Sequence, residues 1–179
     1  RAVDLFWTRG YNATSANDLV EALGLSRSSL YSTYGDKRTL FIKALQRYRQ
    51  KQVGALLEMI KNSEDTAAVI AKMFELVINQ DVRSKVPKGC FMVSSAIELA
   101  PHDNEIAKIV QANENDIEQA LKIAIDRGKE RGDITSTNSS SSLAKFLYNS
   151  VSGLRVALKS KVEESSLQEV VKLSLSVLN

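Results

Sequence analysis

Proline is almost missing. Two residues in 179, Pro87 and Pro101, leave little to interrupt a long helix, and eight glycines add few breaks. A single cysteine, Cys90, excludes an internal disulfide and suits a reducing compartment, so a cytoplasmic location is expected. A single histidine, His102, with no Cys/His cluster around it, argues against a metal site. With no glycine-rich phosphate loop and no nucleophile–base pair to build around one histidine, neither an enzyme nor a cofactor is expected. No stretch of about 18 uninterrupted apolar residues exists, which excludes a membrane-spanning helix. The opening Arg1–Phe6 carries Asp4 and leads into no apolar run, unlike a secretory leader. It lacks methionine and reads as the inside of a helix, so further residues ahead of Arg1 are expected.

The net charge of +3 says little, but its distribution says more. Residues 1–53 hold nine Lys/Arg against four acids, whereas the rest holds 15 against 17. A basic first third on a slightly acidic body suits a head that binds a polyanion, although a solvated basic face would look the same.

Helical spacing dominates, and no segment alternates strictly enough to be a strand. The pattern predicts short helices at 1–9, 16–23 and about 27–32, then a long one from Asp36 to about 61. Five more follow, at about 65–79, 89–99 and 103–131, then one that the later serines of the 135–142 connection enter and that runs to about 159, and one at about 165–178, with a polar loop at 80–88. Ser15 with Asp18 reads as a capping box, Gly24 as a stop, Ser26 as an N-cap and Asp36 as another. The fold class expected is all-α, about nine helices, with residues 1–46 as a head and 47–179 as a body. No flexible linker separates the two.

Residues 15–34 have the form of a helix-turn-helix: a support helix burying Leu19, Val20 and Leu23, a Gly24-Leu25-Ser26 turn with Leu25 as a core plug, and a second helix burying Leu30. That second helix should expose Arg27, Ser28, Ser29, Tyr31 and Thr33, groups able to meet phosphates or base edges in double-stranded DNA. Ser15, Ser26 and Tyr34 border the same face. Lys37 falls in the first turn of the next helix, where backbone N–H groups favour phosphate.

At these residues the chain resembles the tetracycline-repressor (TetR/AcrR) family. The resemblance runs through Phe6-Trp7-Thr8-Arg9-Gly10-Tyr11-Asn12-Ala13-Thr14-Ser15, then Leu25-Ser26-Arg27-Ser28-Ser29-Leu30-Tyr31, then Tyr34-Gly35-Asp36-Lys37 and Leu40-Phe41. It implies a three-helix DNA-binding head, a helical ligand-binding body and a homodimer. It carries phosphate contacts onto Thr14, Tyr31 and Lys37, and groove-facing roles onto Ser26, Arg27, Ser28 and Ser29. One departure is Thr33, where the family often has His. A looser likeness to one subset of the family continues at Lys88-Gly89-Cys90-Phe91-Met92-Val93 and Ala96-Ile97-Glu98-Leu99-Ala100-Pro101-His102-Asp103.

Beyond the head, Met59, Met73, Phe74, Phe91 and Met92, with Asn113 and Ile117, are candidates to line a pocket for a small apolar inducer; plain core packing is the alternative. Cys90 is either a thiol sensor or a small buried hydrophobe. Glu98, Asp103 and Glu105 are read as helix-end capping and charge–dipole groups. Phe146, Ser150, Leu154 and Leu158 on the eighth helix, with Leu167, Val171 and Leu175 on the ninth, are candidates for a homodimer face, or else cover the core of their own subunit. The function expected is a ligand-responsive repressor that binds a palindromic operator and is released by a small molecule. The alternative is a helical interaction module whose basic head binds an acidic partner protein.

Overall fold

The structure is a computed structural model that describes residues 1–82 and 87–179, the side chains of 80–82 excepted. Among the described residues there are nine α-helices and no strand: α1 (Ala2–Arg9), α2 (Ala16–Leu23), α3 (Arg27–Tyr34), α4 (Lys37–Lys61), α5 (Thr66–Val82), α6 (Phe91–Glu98), α7 (Asn104–Arg131), α8 (Ser140–Lys159) and α9 (Glu164–Ser176). Helix α3 runs two residues beyond the expected end. Helix α5 continues into the expected loop as far as Val82, and residues 83–86 of that loop lie outside the described residues.

The chain divides into two compact units. The first is Arg1–Lys51 with Cys90–Gln111, and the second is Gln52–Gly89 with Ala112–Asn179. The expected head of 1–46 therefore sits in a unit that also holds α6 and the start of α7. Aromatic packing is the physical reason. Phe41 meets Phe6, Tyr11 and Phe91 edge-on at 5.0, 5.0 and 5.3 Å between ring centroids. Phe91 also meets Tyr48, whose ring takes the edge of Trp7. Such pairs add about 0.5–1.5 kcal/mol each beyond the area they bury. Leu19, Leu30, Leu45, Met92 and Ile106 complete this core.

In the second unit α5 packs on α8 and α9. Ile70, Phe74, Leu121, Ile125, Leu147, Leu154 and Leu167 fill its core. One corner is tied by hydrogen bonds: the Thr66 N–H donates to Asp133 Oδ2 at 2.8 Å and the Thr66 hydroxyl to the Ala124 carbonyl at 3.1 Å. Gly128 lies there because a Cβ would stand 2.9 Å from Ile134 Cδ1 and 3.0 Å from Thr66 Cβ.

Candidate nucleic-acid interface

The interface is built from caps. Ser15 Oγ accepts from the Asp18 N–H at 3.1 Å, and Asp18 Oδ2 accepts from the Ser15 N–H at 2.8 Å, closing the expected capping box that starts α2. The Ser15 hydroxyl and the Arg9 guanidinium beside it hold the Asp18 carboxyl down at about 2. Gly24, in the left-handed region at φ 68°, ends α2 with its N–H on the Glu21 carbonyl, while the Leu25 N–H returns to the Val20 carbonyl. Ser26 then caps α3, accepting from the Ser29 N–H at 3.1 Å. Leu25 is not the core plug expected of it: 36% of its surface is exposed, and the turn is held by backbone bonds instead.

Helix α3 buries Leu30 and leaves Arg27, Ser28, Ser29, Tyr31 and Thr33 exposed, with Tyr34 half-buried. Ser26 Oγ lies 3.0 Å from Ser28 Oγ and 2.8 Å from Ser29 Oγ, so the three hydroxyls form one cluster at the helix start. Arg27 stands beside it, the only charge on the helix. This edge offers donors and acceptors with little to desolvate, the property that base-edge and phosphate contacts need.

Two residues stand differently from expectation. Thr14 is fully buried, and its hydroxyl donates to the Gly10 carbonyl at 2.6 Å, so its side chain is not on the DNA-facing surface. Its carbonyl instead accepts from Lys37 Nζ at 2.7 Å. That ammonium also lies 4.2 Å from the centre of the Tyr11 ring. Lys37 is thus half-buried and held in place, with further N–H donors left for a phosphate. Asp36, accepting from the Thr39 N–H at 2.6 Å, starts the helix that carries it.

Acids of the α6–α7 corner reach into this region. The Glu98 carboxylate accepts from the Asn12 N–H at 2.7 Å and the Tyr11 N–H at 3.1 Å. Asp103 takes Arg38 through Nε and Nη2 at 2.8 and 2.9 Å, and Glu105 takes Nη2 at 2.8 Å. The Arg38 guanidinium holds Asp103 at about 2. Glu98 is therefore not a charge–dipole group of its own helix end. Its partners lie 86 and 87 positions away, a separation that no local pattern reveals.

The seven pocket candidates do not form one group. Phe91 and Met92 belong to the first unit's core, apart from the other five, and leave the set. Met59, Met73, Phe74 and Ile117 belong to the second. Asn113, also in the second unit, is 3% exposed, and its Oδ1 has no hydrogen-bond partner among the described residues. A polar cleft of about 430 Å³ on the second unit, lined by Gln119, Lys122 and Ser141 among others, includes none of the seven. Cys90 is half-buried ahead of α6, and its Sγ accepts from the Tyr48 hydroxyl at 3.6 Å.

The dimer candidates also divide. Leu154, Leu158 and Leu167 are buried in their own subunit's core, so they cannot form an exposed partner face. Val171 and Leu175 are half-buried against that core. Phe146 remains exposed, as do Val156, Val170 and Leu173, which were not among the residues expected at a dimer face. Among the described residues no helix is long and apolar enough to cross a membrane, and no cluster of His, Cys, Asp or Glu is suited to a metal ion.

Two capped short helices joined at Gly24, the second with a bare polar edge, define a helix-turn-helix protein. Residues 1–44 match the model of bacterial regulatory proteins of the tetR family, and residues 67–173 match the tetracyclin repressor-like C-terminal domain. The chain belongs to the TetR family of bacterial, DNA-binding transcription regulators. It is 33% identical, over its whole length and 93% of the relative's, to the uncharacterized HTH-type transcriptional regulator YezE of Bacillus subtilis (strain 168). It is 27% identical to the HTH-type transcriptional repressor ComR of Escherichia coli (strain K12), across 99% of this chain and 84% of that one. Among solved structures, a cysteine mutant of the TetR family regulator CifR, complexed with 26-base-pair operator DNA, superposes with a TM-score of 0.87. The two are 25% identical over all of this chain and 93% of that one.

Proposed function

We propose that this chain is a ligand-responsive repressor that binds a palindromic operator as a homodimer in the cytoplasm and releases it when a small molecule binds the body. The observation that carries the DNA contact is the exposed Ser26–Arg27–Ser28–Ser29 edge of α3, flanked by Tyr31 and by a Lys37 already fixed in position. In this reading Arg27 and the serines face the major groove, while Tyr31 and Lys37 meet phosphate. Ser15, Thr33 and Tyr34 border the contact. The CifR complex with operator DNA and the repressor ComR support it.

Homodimer formation is supported by the apolar side chains α8 and α9 leave exposed, Phe146 at 45% and Leu173 at 69% among them, with Val156, Val170 and the half-buried Ser150. Against a two-fold mate they would close a four-helix bundle. The inducer reading rests on Asn113, whose buried carbonyl oxygen has no donor among the described residues and could take one from a ligand, and on the adaptable Met59 and Met73 with Phe74 and Ile117. The inducer must favour a state with the wrong spacing between recognition helices. A coupling of about 1–3 kcal/mol would change operator affinity about 5- to 150-fold. The test is binding to a random-sequence duplex pool in dilute buffer. Retention of DNA is expected, and no retention at any salt concentration would leave the interaction-module alternative standing.

A further inference from the structure

Glu98 is the last residue of α6, where a carboxylate faces the negative end of the helix dipole. Its own helix gains nothing from it. Its two oxygens instead take the N–H groups of Tyr11 and Asn12, in the loop between α1 and α2. The loop is shaped for this contact. Gly10 holds φ at +83°, and a Cβ there would stand 2.8 Å from Glu98 Oε2. The same loop supplies both groups that hold Lys37: the Tyr11 ring beneath its ammonium and the Thr14 carbonyl that accepts from it. On the other side of Lys37, its neighbour Arg38 is gripped by Asp103 and Glu105.

We propose that Glu98 is a positioning residue for DNA binding: by fixing the Tyr11–Thr14 loop it sets the place of Lys37, and so ties the phosphate grip of the head to the end of α6. This rests on the reading of Lys37 as a phosphate contact. The carboxylate acts through shape and hydrogen bonding, against its own charge. An acid near DNA repels phosphate, so on electrostatics alone its removal should strengthen binding. Positioning requires the opposite sign.

The full chain is titrated with a random-sequence duplex pool at several salt concentrations, comparing wild type, Glu98→Gln, Gly10→Ala, Lys37→Ala and the Glu98→Gln/Lys37→Ala double variant. Gln keeps the size of the side chain but turns a donor toward one of the two N–H groups. Glu98→Gln is expected to weaken binding about fivefold or more. It should also make the dependence of log affinity on log salt shallower by about one unit, as Lys37→Ala does. Adding Lys37→Ala to Glu98→Gln should change the slope little further. Gly10→Ala leaves the carboxylate intact but displaces it, and should show the same shallower slope; it keeps the question answerable if Glu98→Gln fails to fold. A general loss of stability would lower the active fraction and leave the slope alone. A wild-type slope in both Glu98→Gln and Gly10→Ala, with Lys37→Ala shallower, overturns the role of Glu98 alone. A wild-type slope in Lys37→Ala removes the phosphate role of Lys37, and the positioning role with it.

Discussion

In the proposed reading Arg27 and Lys37 divide the work of recognition. Arg27 is exposed at the start of α3 and is the charge that can read a base edge, whereas Lys37 is a held point charge. Arg27→Ala should cost about 1–3 kcal/mol on a selected operator and relax preference at one base pair, read by competition among single-base variants of the site. Lys37→Ala should weaken binding to every sequence about equally and lower the salt slope by about one, read by titration against the same duplexes. An Arg27→Ala variant that loses affinity uniformly would reverse these roles. Cap residues were legible at this scale because capping is local: Ser15 announces Asp18 three positions on, and Asp36 announces Thr39. Thr14 was not. Whether a threonine hydroxyl faces solvent or turns back to a carbonyl four residues earlier depends on how the loop is packed, and two N–H groups of this loop are taken by Glu98, 86 positions beyond Asn12.

At the scale of helices, three acids start elements of the first unit, Asp36 among them. Asp18 caps α2, and Asp103 caps α7 through the Glu105 and Ile106 N–H groups while it holds Arg38. Both lie at about 2, below the ordinary 3.8 of an aspartate. A carboxyl that titrates lower in the folded state contributes stability fully above its ordinary value and loses it as pH falls through the folded one. Stability should therefore decline between about pH 4 and pH 2, and the Asp18→Asn/Asp103→Asn double variant should show a flatter profile over that range by denaturant titration. Equal slopes would show that these caps do not carry the acid sensitivity. Gly24→Ala should cost about 1 kcal/mol, since φ 68° suits glycine, and chemical denaturation measures it. Helix starts and stops could be read because each has its own residue. The end of α5 could not, because Gln80 and Asp81 are as acceptable in a helix's last turn as in a loop.

For the molecule as a whole, the apolar stripes of α8 and α9 announced burial without saying against what. Leu154, Leu158 and Leu167 face their own core, while Phe146, Val156, Val170 and Leu173 do not. Periodicity marks an apolar face but cannot separate a subunit's own core from a partner's, since both need the same side chains. Leu173→Asp should leave the fold intact and shift the protein toward monomer in sedimentation equilibrium; an unchanged assembly would place the dimer face elsewhere. The likeness to DNA-binding heads was legible because it rests on local spacing, whereas the membership of α6 in the first unit rests on Phe91 meeting Phe41, 50 positions away along the sequence. The most direct test is selection of bound sequences from a random duplex pool by the purified protein. The account predicts enriched duplexes with two-fold symmetry and half-site centres one helical turn apart, about 34–36 Å, or a multiple of it. Enrichment of nothing, even in dilute buffer, or of sites without that symmetry, would contradict it.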